Sequence, residues 1–213
     1  MTIYETLDQL VVHFTNPPYD KEVALAKSDF FDQVGAGDDS HQFELRMSQF
    51  LDWYLFSRDL STVQVKPIEL ILEEPPDWAS DEFLNFCKSL KNIRHSLFEF
   101  IKIRGHDVYL KDLLSGKKIV IRNSRVTVGF SKDEIFEARL IPVDGDFVFS
   151  GGFCFHPLEA GKFVLKEIKK IRNLDVSEHE ALMMKLLKMR YKHEQYAHIR
   201  IDYIYTNDAK LRI

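Results

Sequence analysis

The chain has 213 residues, 45% of them hydrophobic and 29% charged, with 17 phenylalanines and only two cysteines, Cys87 and Cys154. That balance excludes a disordered chain, and two distant cysteines give no disulfide framework and suit a reducing compartment. The net charge of −4 hides a split: residues 1–90 carry 6 Lys/Arg against 17 Asp/Glu, a balance of −11, and residues 91–213 carry 23 against 16, a balance of +7. Such a split implies either two functional faces or two packed halves that attract each other.

Helical spacing dominates the first ninety residues. Ile3, Leu7, Leu10, Val11 and Phe14 share a face until TNPPYD stops the helix. DKEVALAKSDFFDQVG opens on Asp20 as a cap candidate and closes on Gly35. In HQFELRMSQFLDWYLFSRDL, Phe43, Met47, Phe50, Leu51, Trp53 and Tyr54 form a broad apolar face. Pro67 starts a short helix, PIELIL, and EEPPDW breaks it. Ser80 caps DEFLNFCKSLKNI, in which Cys87 shares a face with Phe83, Phe86, Leu90 and Ile93 and reads as a small buried hydrophobe.

Near residue 96 the period falls to two. SLFEFIKIRG reads as a half-buried strand, HDVYLKDLLSG as an extended segment tightening into a turn capped by Gly116, and KKIVIRNS and RVTVGF as two short strands. EIFEARLIPV and DFVFSGGFCFHP pair through an Asp144-Gly145 hairpin turn. After Pro157 the helical period returns in LEAGKFVLKEIKKIRNL. A second helix opens at Ser177-x-x-Glu180, read as a capping box, and the tail HIRIDYIYTN alternates as a candidate final strand.

FSGGFCFHP gathers the chemistry-bearing residues. Phe147, Phe149, Gly151, Phe153 and Phe155 fall on one strand face, and Val148, Ser150, Gly152, Cys154 and His156 on the other. Cys154 and His156 are the catalytic candidates, yet no residue nearby orients the histidine, and too few ligands surround them for zinc. Phenylalanines lining a core account for the segment, and its glycines mark a bulge or sharp bend. Gly35-Ala36-Gly37 opens no phosphate loop, and two aspartates follow it. Glu134, Glu137, Asp144 and Asp146 could in principle hold Mg²⁺, but the aspartates read better as turn residues and the glutamates as a solvated strand face. Lys111, Lys117, Lys118, Arg122 and Arg125, with Lys102 and Arg104 beside them, form a basic strand cluster suited to nucleic-acid phosphates. Lys185, Lys188, Arg190, Lys192 and His193 read instead as the solvated, dipole-complementing end of the last helix. No cofactor or metal is expected.

Three motifs carry a resemblance: Phe50-Leu51-Asp52-Trp53, Leu97-Phe98-Glu99, and Asp112-Leu113-Leu114 with Gly116. Over residues 40–145 the chain resembles an uncharacterised bacterial protein family with a Phe-Leu-Asp-Trp helix, a Leu-Phe-Glu strand and an Asp-Leu-Leu-x-Gly turn. The resemblance implies a bacterial cytosolic origin and no activity. Some members of that group carry a cysteine-rich zinc-binding segment that this chain does not contain, so no metal role is carried over.

The expected fold is α+β: a helical region over 1–94, a small antiparallel β-barrel or bent sheet over 95–157, and C-terminal helices with a terminal strand over 158–213. MTIYETLDQL lacks the features of a signal peptide, and no apolar run reaches the roughly 18 residues of a spanning helix, so a cytoplasmic protein without membrane association is expected. The leading functional expectation is a non-enzymatic binding or regulatory protein acting through a protein partner. A nucleic-acid-associated factor using the basic strands, and an enzyme using Cys154 and His156, are the alternatives.

Overall fold

The computed structural model describes residues 2–35 and 42–209; the Gly35-Ala36-Gly37 segment therefore lies mostly outside the described residues. Five helices come from the helical rhythm of the first ninety positions: α1 (Ile3–Thr15), α2 (Asp20–Val34), α3 (Phe43–Phe56), α4 (Pro67–Glu73) and α5 (Asp81–Leu90). Their starts follow local chemistry. Thr2 and Glu5 form a capping box on α1, Pro67 occupies the first turn of α4, and the Ser80 hydroxyl accepts from the Phe83 N–H of α5. Asp20 is not a cap; it is the first residue inside α2, behind Tyr19. Phe14, Phe30, Phe50, Tyr54 and Phe83 are fully buried where these helices meet, with the Tyr54 hydroxyl donating to the Phe14 carbonyl at 3.0 Å. Cys87 is buried among them.

The strands are β1 (Arg94–Arg104), β2 (Asp107–Asp112), β3 (Lys118–Ile121), β4 (Ile135–Val143), β5 (Asp146–Phe149) and β6 (Cys154–Phe155). They form one antiparallel sheet in the order β3-β2-β1-β4-β5, curled into a half-barrel, with β6 also pairing with β4. Phe98, Phe100, Val108, Leu110, Ile121, Phe136, Leu140, Phe149 and Phe153 fill the concave side. A register shift between Phe100 and Lys102 leaves Ile101 exposed and returns Ile103 to the concave side, so simple alternation fails there.

Two expected strands differ: one is absent and one is divided. RVTVGF is not a strand; it crosses the half-barrel irregularly and inserts Phe130, which stacks on Phe100 at 5.2 Å between ring centres. DFVFSGGFCFHP is two strands, β5 and β6, both on the same side of β4 and separated by a kink at 150–153.

After a short 3-10 turn (Leu158–Ala160), α6 (Gly161–Ile171) and α7 (Val176–Gln195) pack over the convex side of the sheet through Leu97, Ile135, Val164, Ile168, Leu182, Met183 and Leu186. The terminal strand expected in HIRIDYIYTN does not form. That segment makes a 3-10 turn at Ile201–Tyr203 and tucks Ile204 and Tyr205 into the same core. Nor is Ser177 the cap of α7. Asp175 holds that position, accepting from the Glu178 N–H at 3.2 Å, which frees Glu180 for other contacts.

Candidate functional site

β4 places alternate side chains on opposite layers, and both layers bury it. Phe136, Ala138 and Leu140 enter the aromatic half-barrel, while Glu137 and Arg139 face the helices. Neighbouring β1 registers His95 opposite Arg139 and Leu97 opposite Glu137, so the same face carries an imidazole, a carboxylate and a guanidinium. α7 adds Glu180 from above, and α3 with its C-cap adds Asp52 and Ser57 from the side.

The resulting polar seam is densely bonded. His95 Nε2 lies 2.8 Å from a Glu137 oxygen and His95 Nδ1 lies 2.5 Å from a Glu180 oxygen. Each ring nitrogen faces a carboxylate oxygen, an arrangement that the imidazolium form satisfies with both N–H groups donating. Burial and the nearby Arg139 oppose that charge, but Glu180 and Glu137 outweigh them and hold the His95 pKa above its ordinary value. Burial likewise acts against charge on Glu180, yet His95, Arg139 and Ser57 hold its carboxyl down at about 2. The second Glu180 oxygen accepts from the Ser57 hydroxyl at 2.9 Å, and Ser57 in turn accepts from Arg139 at 2.7 Å.

Asp52 explains the kink in the FSGG segment. Its carboxylate accepts from the Ser150 hydroxyl at 2.5 Å and from the Gly152 N–H at 3.0 Å. A Cβ on Gly152 would lie 2.5 Å from that carboxylate, so glycine is required for α3 to approach the chain this closely. Burial pushes the Asp52 pKa up, against the pull of Arg139, Ser150 and Gly152.

The seam floors a groove of about 1200 Å³. Phe56, Ile68, Leu90, Ile93, Pro142, Phe147 and Met183 supply apolar walls; Ser57, His95, Arg139 and Glu180 reach its base; Lys66, Glu69, Glu73 and Arg94 also line it. Arg94 lies over the Phe147 ring and within 3.4 Å of Asp112.

The residues singled out in the sequence lie elsewhere or are otherwise engaged. Cys154 and His156 do share the helix-facing side of the sheet, but they are 2% and 1% exposed. Burial, reinforced by Glu137, raises the Cys154 pKa well above that of an ordinary thiol, and burial lowers His156 to about 4. His156 Nδ1 is 3.1 Å from the Tyr205 hydroxyl, and Nε2 has no hydrogen-bond partner among the described residues. Burial thus holds the thiol and the imidazole towards their neutral forms, both closed to solvent. Of the basic strand cluster, Lys111 pairs with Glu99, Arg122 with Asp146, and Arg125 lies over the Tyr4 ring, while Lys117 and Lys118 are exposed. Among the suggested Mg²⁺ ligands, Asp146 is taken by Arg122, and a Glu134 oxygen accepts from the Ser131 N–H. Glu137 is not on a solvated face as expected: it is 7% exposed, beneath α7.

The three sequence motifs also find their places. In Phe-Leu-Asp-Trp, Phe50 fills the helical core and Asp52 receives the kink. Leu97 and Phe98 enter opposite cores. Asp112 accepts from Ser96, from the Leu114 N–H and from the Ser115 N–H and hydroxyl, closing a turn whose Gly116 takes φ +73°. Across residues 5–201 the chain matches the family of unknown function DUF7986. The chain belongs to this family. No solved structure matches it. In this DUF7986 protein no described helix is long and apolar enough to cross a membrane.

Proposed function

We propose that this DUF7986 protein is a non-enzymatic binding protein, and that a segment of a protein partner occupies the groove above the His95–Glu180 seam. The groove itself carries the reading. At about 1200 Å³ it exceeds the roughly 300–1000 Å³ of compact small-molecule pockets, and it combines apolar walls with a polar base. The base is poor catalytic material: the imidazole is locked between two carboxylates, and the Ser57 hydroxyl points its proton at Glu180 rather than at a base free to cycle. Pro142 in the groove wall offers no N–H, which disfavours strand addition there and favours recognition through side chains. A bacterial cytosolic setting accords with two buried, unpaired thiols.

Site-specific photo-crosslinkers at Phe56 and Phe147, with Val128 as a remote exposed control, test the reading in cells. The expected result is one discrete protein adduct from both groove positions, absent at Val128 and abolished when Ser57→Trp fills the groove. Adducts indifferent to position or to Ser57→Trp, or a small molecule co-purifying in the groove by native mass spectrometry, would overturn it.

A further inference from the structure

We propose that the outer face of α6 docks the protein onto an anionic lipid surface. The inner face of this helix is committed: Val164 and Ile168 are buried against α7 and the sheet, and Phe163 turns towards Tyr205. Its only carboxylate, Glu167, is buried and already bonded to Lys170, Lys185 and Asn207. The outward stripe is left cationic. Lys162, Lys166 and Lys169 are exposed, follow helical spacing, and enter no ion pair or hydrogen bond among the described residues. Arg172 continues the row, one of its nitrogens bonded to the Leu113 carbonyl.

Two leucines sit within the stripe. Leu165 is 41% exposed between Lys162 and Lys169, and Leu158, in the preceding turn, is 58% exposed. Lysines flanking outward leucines match the two phases of a lipid interface, where headgroup charge draws the ammonium groups and the acyl boundary takes the leucines. Nucleic acid fits less well. It would leave both leucines in water, and the stripe offers no aromatic ring for a base to stack on. The inference is independent of the groove reading, because none of these residues lines the groove.

Co-sedimentation of the whole protein with mixed phosphatidylglycerol–phosphatidylcholine vesicles, against pure phosphatidylcholine, tests it. Binding is expected only to the anionic vesicles and is expected to fall with salt. Lys162→Gln/Lys166→Gln/Lys169→Gln should weaken it about a hundredfold, and Leu158→Ser/Leu165→Ser, at unchanged charge, about tenfold. All these positions are exposed, so matched thermal unfolding will show that the variants remain folded. Equal binding to both vesicle types, retention by the lysine variant, or leucine-independent binding that an RNA homopolymer competes away would overturn the proposal.

Discussion

Gly152 carries a constraint that its neighbours do not reveal. Both it and Gly151 announce a bend in the sequence, but the reason for the bend is Asp52, a hundred positions away on α3. Gly152→Ala would force apart the Asp52 carboxylate and the Gln49 backbone, 2.5 and 3.1 Å from the new methyl, and should destabilise the protein by about 1–3 kcal/mol in urea unfolding. His95 makes the second prediction at this scale. Its folded pKa lies above the unfolded 6.5, so its contribution is complete below pH 6.5 and is lost as pH rises through the folded value. Glu180, held at about 2 against 4.5 when unfolded, contributes fully above pH 4.5 and loses that contribution as pH falls towards 2. The pair therefore supports the fold best between pH 4.5 and 6.5. Glu180→Gln should lower the His95 titration midpoint seen by NMR and cost about 2 kcal/mol, less than the ~3–5 for a wholly buried pair because 27% of the Glu180 side chain meets solvent. An unmoved midpoint would refute the bridge. No spacing rule announces this site, since its members lie in α3, β1, β4 and α7. The available cue was the Glu137/Arg139 alternation inside a strand otherwise apolar on both faces.

At the level of elements, the change from a helical to a two-residue rhythm near residue 96 was legible, because burial on one face imposes it directly. Failures occurred where tertiary contact overrides local pattern. RVTVGF alternates like a strand, yet the half-barrel needs Phe130 across its opening, and ring packing replaces ladder bonds. Ser177-x-x-Glu180 has the letters of a capping box, but His95 claims Glu180 and Asp175 takes over the helix start. The consequence is measurable: Asp175→Ala should cost about 1 kcal/mol in thermal or urea unfolding, whereas Ser177→Ala should stay within about 0.5. The reverse order would restore the sequence-based assignment of the cap.

For the molecule as a whole, the acidic front and basic back of the sequence meet at the seam, where Arg139 acts on the Asp52 carboxyl. Among the described ion pairs, only Arg46–Glu194 joins residues 1–90 to the remainder, and it runs against the trend, cation in front and anion behind. At the centre of the molecule β4, one nine-residue strand, carries an aromatic layer on one side and Glu137 and Arg139 on the other. Were that strand to pair one position out of step, Glu137 and Arg139 would be driven unpaired among phenylalanines, at several kcal/mol apiece. The buried charges thereby act as a lock on alignment: misthreaded sheets are penalised during folding, whatever little the seam adds to the finished structure.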